Sequence, residues 1–303
     1  MMNPTQGSTQ ARHQLGRYGV WIAPMTLLKT PVAEQREQFA RLEQLGYGSL
    51  WTGEPPASSP VGGREIFSQL AIVLGATTKL VAGAGIANIT MRDPVAMHGA
   101  AATLAEAHPG RLILGLGGHT GDRPLSAMRA YLDAMDQAAA RILPDVRYPR
   151  VLAALGPKTH RLASERADGV HPFMQPVEHT EAARKALGPD GLLIPHQVLI
   201  LDTDAVRARG RMRALFGHGH NTDNHYTANY RRLGYGDADL KGERSDRLLD
   251  AILAWGDSDA IAARLEQHLA AGADHVLLHP LTDGLASAVD LLQQLAPRLV
   301  TRS

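Results

Sequence analysis

The stretch Gly83–Pro94 reads GAGIANITMRDP and directly follows KLVA (79–82), which has the composition of a strand start. Small residues replace bulky ones within a few positions. Glycine weakens a strand interior and often marks a bulge, or the close approach of a ligand or of another stretch of backbone. The stretch ends in Asp93-Pro94, where a capping side chain precedes a proline at the first helical position. It therefore predicts a buried strand, a turn that something approaches closely, and then a helix.

This pattern of strand followed by helix repeats along the chain. Eight short, nearly continuous apolar runs are strand candidates: 17–23, 47–53, 79–86, 111–117, 150–155, 168–173, 197–201 and 274–280. Such runs are typical of parallel strands that are covered on both faces. Eight units of this kind predict an α/β fold of the TIM-barrel type, with an open doubly wound sheet as the runner-up.

An added segment interrupts the pattern near the C-terminus. Residues 203–256 include the polar, loop-rich stretch 217–240, which has no strand of its own. We expect this segment to be an insertion between the seventh and eighth strands that packs over one end of the barrel. The polar residues 1–15 predict a flexible N-terminal tail, so that residues 16–303 form a single domain.

The composition excludes several classes of protein. The 303 residues are 44% hydrophobic and 20% charged, with a net charge of +1, so we expect a folded core and no nucleic-acid partner. The absence of cysteine excludes disulfides, thiolate metal sites and cysteine nucleophiles. No signal core or membrane-spanning apolar run is present. We expect a soluble cytoplasmic protein that forms a homodimer.

In a TIM barrel, function lies at the C-terminal ends of the strands. Four of the predicted strand ends are rich in glycine or polar groups: Gly83–Asn88, Gly115–Thr120, Leu155–Lys158 and Gly169–His171. One such end is explained by a tight turn, but four at one rim favour a flat ligand that lies against backbone. The GLGGHTG stretch (115–121) lacks the full spacing and the downstream acid of a dinucleotide fingerprint.

The segment ALGPKTHRLASERADGVHP (154–172) predicts an anion site. A strand ends at Gly156 and a helix begins at Pro157, so free N–H groups and the positive end of the helix dipole would suit a phosphate. Lys158 lies in the first turn, and the turn at Gly169 would lie alongside. The alternative is an ordinary helix start.

Three histidines, His218, His220 and His225, have a spacing that zinc sites can use. They lie in the loop-rich insertion without carboxylates at matching strand ends. We therefore favour a solvated or interface loop and expect no metal site.

The sequence resembles the luciferase-like monooxygenase superfamily, and within it the oxidoreductases that depend on coenzyme F420. Two segments show the resemblance most clearly: GAGIANITMRDPVAMHGAAATLAEAHPGRLILGLGGH (83–119) and LGPKTHRLASERADG (155–169). The resemblance as a whole extends over about 17–295. It implies a TIM barrel that binds a deazaflavin. It also implies a non-proline cis peptide at the bulge after the third strand, by position Gly85–Ile86, which supports one face of the cofactor's ring.

The resemblance therefore explains the small side chains after residue 82, because they would leave room for a flat, flavin-like ring. The residues expected to bind the cofactor are Gly85, Ile86, Ala87, Asn88, Gly118, Gly156, Pro157, Lys158, Gly169 and Val170.

One departure from the family concerns the catalytic groups. Many members have an acid followed by histidine at the end of the second strand, whereas here Glu54 precedes Pro55. We expect Glu54 to stand for the acid, with His119 and His171 as candidate replacements for the histidine. Trp21 and Glu54 are expected to contact the substrate. A structural role for each of these side chains stays open.

The leading hypothesis is hydride transfer between deazaflavin F420 and a small organic substrate. A carbon at the reactive ring position makes F420 a hydride carrier, whereas a flavin can activate oxygen. An FMN-dependent monooxygenase on the same barrel and a catalytically idle cofactor-binding protein are the two alternatives.

Overall fold

The computed structural model describes residues 11–57, 59–118, 121–216 and 224–300. Within these residues ten strands form one sheet, and every pairing between strands is parallel. The strands are β1 (Tyr18–Trp21), β2 (Ser49–Thr52), β3 (Val81–Asn88), β4 (Leu112–Gly117), β5 (Arg150–Leu152), β6 (Gly169–Val170), β7 (Leu192–Leu193), β8 (His196–Leu201), β9 (Leu253–Gly256) and β10 (Val276–Pro280).

Helices separate the strands along the chain. They are α1 (residues 11–15), α2 (Pro24–Lys29), α3 (Val32–Gln44), α4 (Ile66–Ala76), α5 (Pro94–Ala107), α6 (Pro124–Ala139), α7 (Pro157–Arg166), α8 (Val177–Leu187), α9 (Ala205–Phe216), α10 (His225–Arg232), α11 (Asp237–Leu240), α12 (Asp246–Ile252), α13 (Ser258–Ala270) and α14 (Leu285–Leu299). No helix within the described residues is long and apolar enough to cross a membrane.

The sheet curls round on itself through the short stretch that contains β7 and β8. The strand order is β7-β6-β5-β4-β3-β2-β1-β10-β8-β9, and only two residues separate β7 from β8 in the chain. On one side of this stretch, the N–H of Ile194 donates to the carbonyl of Val170 at 3.0 Å. On the other side, the N–H of Leu277 donates to the carbonyl of Pro195 at 2.9 Å. The predicted TIM-barrel-like fold is confirmed.

Both faces of the sheet are buried, as the continuous apolar runs predict. In β2, Leu50 belongs to the core between sheet and helices, whereas its neighbour Trp51 belongs to a separate apolar cluster inside the barrel. In β4, Leu112 and Ile113 divide in the same way. Successive side chains of a strand point to opposite faces, so the barrel has an outer core and an inner core.

The N-terminal end differs from the predicted flexible tail. Residues 11–15 are helical, and Leu15 is fully buried in the apolar cluster inside the barrel. The guanidinium of Arg12 donates to the carboxylate of Asp274 at 2.8 Å. Residues 11–15 are therefore packed and do not belong to a mobile tail, and residues 1–10 lie outside the described residues.

The segment 203–256 lies between β8 and β10 in sequence, where the insertion is predicted. It contains helices α9 to α12 and ends in β9, which pairs with β8 and was not among the strand candidates. Side chains of these helices form their own apolar cluster against Val198 and Ile200 of β8. Residues 217–223 lie outside the described residues, so the predicted polar stretch 217–240 is described from residue 224 onward.

Candidate functional site

A cavity of about 330 Å³ opens at the C-terminal ends of the strands, where a barrel enzyme carries its active site. Its walls come from the segments that follow β1, β2, β5 and β6, from the bulged part of β3, and from α10 of the insertion. The volume lies at the lower end of the range of about 300–1,000 Å³ that is usual for ligand pockets.

The bulge predicted after the start of the third strand is present in β3. Its pairing with β4 shifts register between Ala84 and Ala87, and the peptide bond between Gly85 and Ile86 is cis, as the resemblance implies. Gly85 and Ile86 both line the cavity, and Ile86 is partly exposed there. The extra residue of the bulge therefore presents backbone and one apolar side chain to the cavity.

The loss of bulk in β3 is explained largely by packing inside the barrel. A Cβ on Gly83 would lie 2.1 Å from the indole ring of Trp51, and a Cβ on Gly85 would lie 3.0 Å from Nε2 of His171 and 3.1 Å from Nε1 of Trp21. The space that these glycines leave is taken by protein side chains. The expectation that the bulk is missing only to admit a ligand is wrong for Gly83.

Glu54, the predicted acid, forms a buried ion pair that holds the bulge. Its Oε2 accepts hydrogen bonds from Nη1 of Arg92 at 2.8 Å and from the backbone N–H of Asn88 at 3.0 Å, and its Oε1 accepts from Nη2 of Arg92. The hydrogen bond to Glu54 raises the pKa of the Arg92 guanidinium. Arg92 also bonds Glu65 at 3.1 Å.

This arrangement makes Glu54 a poor proton donor. Both of its oxygens already accept hydrogen bonds from protein groups, and the side chain is only 4% exposed. Arg92 was not among the predicted site residues. The Met91-Arg92-Asp93 run contains this residue. Arg92 pairs with Glu54, 38 positions away in sequence, and such a pairing cannot be predicted from spacing.

His171 is the candidate whose chemistry fits the cavity. Its Nδ1 lies 2.8 Å from the carbonyl oxygen of Ile194, which can only accept, so Nδ1 carries the proton. Burial lowers the pKa of His171 to about 4, and the ring is neutral at pH 7. Its Nε2 is buried without a hydrogen-bond partner among the described residues. The cavity wall therefore contains an unused acceptor.

Trp21, the predicted substrate residue, lies on the cavity wall within an aromatic layer. Its Nε1–H donates to the carbonyl of Gly85 at 3.2 Å. Its ring meets Phe173 edge-on at 5.1 Å and lies 4.5 Å from the ring of His279. Nε2 of His196 lies 3.0 Å from Nδ1 of His279. These contacts fix the indole, so Trp21 supplies a rigid aromatic surface.

The helix of the predicted anion site begins as expected at Pro157, with Gly156 as the N-cap of α7 and no side chain capping the helix. Lys158 is exposed in the first turn. A guanidinium that sequence reasoning missed also reaches this point, because a Cβ on Gly156 would lie 3.0 Å from Nη2 of Arg232 in α10. Arg232 donates to Oδ1 of Asn229, a neutral acceptor. Two positive side chains therefore lie near the helix start.

Gly169 and Val170 lie inside the sheet rather than in a turn. Both are buried, and they pair with β5 and β7 as the whole of β6. A Cβ on Gly169 would lie 2.1 Å from the carbonyl oxygen of Leu192. Strand packing accounts for this glycine, and the turn expected beside the helix start is not at residue 169.

Asn88 and Gly118 form a pair of their own beyond the cavity wall. The side-chain Oδ1 of Asn88 accepts from the backbone N–H of Thr90 at 3.0 Å. Gly118 has a φ of +97°, and a Cβ on it would lie 2.2 Å from that same oxygen. Ala87 is fully buried. None of these three residues lines the cavity, so the structure gives them a role in shaping the bulge.

His119, the third catalytic candidate, lies outside the described residues, as do His218 and His220. His225, the third member of that cluster, begins α10 and lies 4.6 Å from the ring of Tyr226. Within the described residues, no group of three or more acidic or histidine side chains is placed to hold a metal ion.

Sequence reasoning missed two further residues of the cavity wall, Phe173 and Tyr226. Phe173 is the last residue of the strand candidate 168–173 and could have been found as a strand-end aromatic. Tyr226 comes from the insertion, and nothing in its local sequence indicates which strand end it covers.

Comparison with known proteins agrees with this geometry. Residues 14–127 match the model of the luciferase-like monooxygenase family. The resemblance to the luciferase-like monooxygenases is confirmed. The match includes β1 to β4, the bulge, Glu54 and Arg92. The cavity is thus built partly on the segment that carries the family pattern.

Solved structures with the same architecture include proteins that use two different cofactors. An F420-dependent secondary alcohol dehydrogenase in complex with an F420-acetone adduct is 15% identical, with 94% of this chain and 99% of that chain covered and a TM-score of 0.67. The coenzyme F420-dependent tetrahydromethanopterin reductase from Methanopyrus kandleri is 18% identical, with 93% and 99% covered and a TM-score of 0.69.

A third structure is a monooxygenase. The oxygenating constituent of 3,6-diketocamphane monooxygenase from Pseudomonas putida, in complex with FMN, is 12% identical, with 94% and 100% covered and a TM-score of 0.65. At these identities the similarity shows the fold, and the cofactor is not decided by it.

Proposed function

We propose that this protein is a luciferase-like oxidoreductase that binds the deazaflavin F420 and transfers hydride to or from a small, uncharged organic substrate. The observation that carries the proposal is the cavity at the strand ends, in which the unused Nε2 of His171 lies beside the bulged backbone of Gly85 and Ile86. A flat ring suits a wall of backbone and apolar surface.

The residues present fit such a group. Gly53 and Gly85 contribute only backbone to the cavity wall and Ala153 contributes only a methyl group, which suits a planar ring. Ile86 and Phe173 offer apolar contact. We propose that the cofactor's phosphate binds at the start of α7, where Lys158 and Arg232 supplement the free N–H groups.

Bound F420 supplies a hydride at a ring carbon, whereas bound FMN could activate oxygen. The chain's own residues do the rest. Trp21 and Phe173 exclude water from one side of the cavity. The Glu54 carboxylate is neutralised by Arg92 and keeps the bulge in place. His171 is neutral at pH 7, and its unpaired Nε2 is buried beside Gly85.

We prefer F420 for two reasons. The segments 83–119 and 155–169 resemble the F420-dependent branch of the family, and two of the similar structures are F420-dependent by their descriptions. The FMN-bound similar structure favours the second candidate, an FMN-dependent monooxygenase. The third, an idle cofactor-binding protein, is favoured by the absence of the family histidine, since Pro55 follows Glu54. The predicted homodimer and the lack of a nucleic-acid partner stay predictions.

Stopped-flow absorbance tests the proposal. Reduced F420 with the protein should be oxidised in the presence of enones, ketones or nitro compounds under anaerobic conditions. Reduced FMN with the protein in oxygenated buffer should show no substrate oxygenation above the rate without protein. Oxygenation that requires FMN would favour the monooxygenase, and no turnover with either cofactor would favour the idle binding protein.

A further inference from the structure

Tyr226 is the contribution of the insertion to the cavity wall. It lies in the first turn of α10, whose N-cap Asn224 accepts hydrogen bonds from the backbone N–H groups of Tyr226 at 2.9 Å and Thr227 at 3.1 Å. The hydroxyl of Thr227 in turn accepts from the N–H of Asn224 at 2.9 Å. This reciprocal cap fixes the first turn and hence the direction in which the Tyr226 ring points.

Helix α10 is also fastened to the loop that carries the other aromatic walls. Nδ2 of Asn229 donates to Oε1 of Gln175 at 2.6 Å, and the hydroxyl of Tyr230 donates to the carbonyl of Met174 at 2.6 Å. Gln175 and Met174 follow Phe173 directly in the chain. The helix and the β6–α8 loop are therefore held together, and Tyr226 has a fixed place on the cavity wall.

The donors and acceptors on the cavity wall are almost all in use. Trp21 Nε1–H donates to Gly85, His171 Nδ1–H donates to Ile194, and the Glu54 oxygens accept from Arg92 and Asn88. The Tyr226 hydroxyl makes no hydrogen bond to the described residues, in contrast to that of Tyr230. Two polar groups therefore have no partner among the described residues: the hydroxyl donor of Tyr226, which is partly exposed, and the Nε2 acceptor of His171, which is fully buried, so the hydroxyl is the one left to a ligand.

Neither of these two groups carries a charge at pH 7. Burial raises the pKa of Tyr226 to about 12 and lowers that of His171 to about 4. The ionised pair on the wall, Glu54 and Arg92, is satisfied within the protein. A charged substrate would find no counter-charge on the described wall, whereas an uncharged oxygen atom would find a donor.

We propose that the hydroxyl of Tyr226 donates a hydrogen bond to the oxygen of a small, uncharged carbonyl compound bound in this cavity, so that Tyr226 determines the substrate class. This deepens the proposed function, on which it rests, because it names the class of substrate for the same site. The insertion then supplies specificity, while the barrel supplies the cofactor wall.

Paired ligands test the hydrogen bond without turnover. We would measure dissociation constants by ligand-observed NMR for cyclohexanone and methylenecyclohexane, and for acetophenone and α-methylstyrene, which differ in each pair only by oxygen against CH₂. Tyr226→Phe removes the donor and keeps the ring. We expect it to weaken ketone binding about fivefold, the effect of one net hydrogen bond, and to leave alkene binding unchanged.

Tyr230→Phe is the matched control, because it removes a hydroxyl from the same helix that already bonds to Met174. We expect it to leave the ratio of ketone to alkene affinity unchanged. Equal weakening of both members of a pair by Tyr226→Phe, or no weakening, would overturn the proposal. Failure of both ketones to bind the wild-type protein would overturn it as well.

The measurements are made with and without F420, and binding of F420 is followed separately by its absorbance. If F420 does not bind, the proposed function fails, while the ketone and alkene comparison in the cofactor-free protein still decides the role of Tyr226.

Discussion

At the scale of single residues, the site is organised by which polar groups are already satisfied. Glu54, which the sequence predicts as the catalytic acid, accepts hydrogen bonds from Arg92 and from the backbone of Asn88. His171 has the opposite state, since one ring nitrogen is satisfied by Ile194 and the other is free. Proximity to the cavity alone did not distinguish the two, whereas their hydrogen bonds do.

Glu54→Gln tests the structural role of the ion pair. The amide keeps the shape but removes the charge that Arg92 needs. We expect the free energy of unfolding in urea to fall by about 2 kcal/mol, less than for a fully buried pair because Arg92 keeps Glu65. Any pH dependence of turnover should keep its midpoint.

Glu165→Gln is the control, because its pair with Arg129 is about half exposed and should contribute less than about 1 kcal/mol. A shifted or abolished pH profile in Glu54→Gln, with unchanged stability, would contradict the structural role.

At the scale of elements, β3 contains small residues because large side chains of neighbouring strands pack against it. Gly83 and Gly85 lie where two tryptophans and a histidine from β1, β2 and the end of β6 converge inside the barrel. Glycine in a strand interior costs stability by itself. Here it allows large rings to fill the inner core directly below the cavity.

Gly83→Ala should therefore be destabilising. Its methyl group would lie 2.1 Å from the Trp51 ring, and overpacking of this kind costs about 3 kcal/mol. Urea unfolding followed by tryptophan fluorescence measures the change.

Gly75→Ala is the control for this substitution. Gly75 lies in α4 with nothing within 4 Å of the added Cβ, so alanine should stabilise the protein by up to about 1 kcal/mol. Equal effects at both positions would show that strand packing does not explain Gly83.

The sequence predicts the elements better than the side-chain partners. All eight predicted strands are present, and the helix start at Asp93-Pro94 is as expected, with Asp93 accepting from Val95 and Ala96. These features depend on local composition and capping. The Glu54–Arg92 pair and the position of Tyr226 depend on chain segments that meet only after folding, so their roles could not be read from spacing. The resemblance, and not the local pattern, predicted the cis bond.

At the scale of the whole molecule, the barrel buries many histidines in neutral form. Burial lowers the pKa of six of them most strongly from the usual value of 6.5: His171, His179 and His275 to about 4, His268 and His279 to about 3, and His196 well below it. Each is hydrogen-bonded as a neutral ring, as where Oγ1 of Thr180 lies 2.8 Å from Nδ1 of His268.

These histidines predict unfolding in mild acid. Because each pKa is depressed in the folded state, the stability is present above pH 6.5 and is lost as the pH falls toward 4. Each group removes up to about 1.4 kcal/mol per pH unit, so six together can consume a total stability of about 5–15 kcal/mol within two units. We expect a midpoint near pH 5 in far-UV circular dichroism.

Urea unfolding at pH 6 should be accompanied by proton uptake, which potentiometry measures directly. A protein that keeps its native circular dichroism at pH 4, or that takes up no protons on unfolding, would contradict the neutral state of these side chains.

We propose that the cofactor's ring binds in the cavity at the strand ends. A substitution at Ala153 tests this directly. Its side chain is exposed on the cavity wall, so Ala153→Trp should fill the cavity without disturbing the core. The measurement is a titration of F420 absorbance with wild-type protein, with Ala153→Trp, and with Ala71→Trp on the exposed face of α4 as the control. We predict that wild-type protein and the control bind F420 alike and that Ala153→Trp binds at least about tenfold more weakly, a change of about 1.4 kcal/mol. Equal affinity of all three proteins, or no binding to the wild type, would contradict the account.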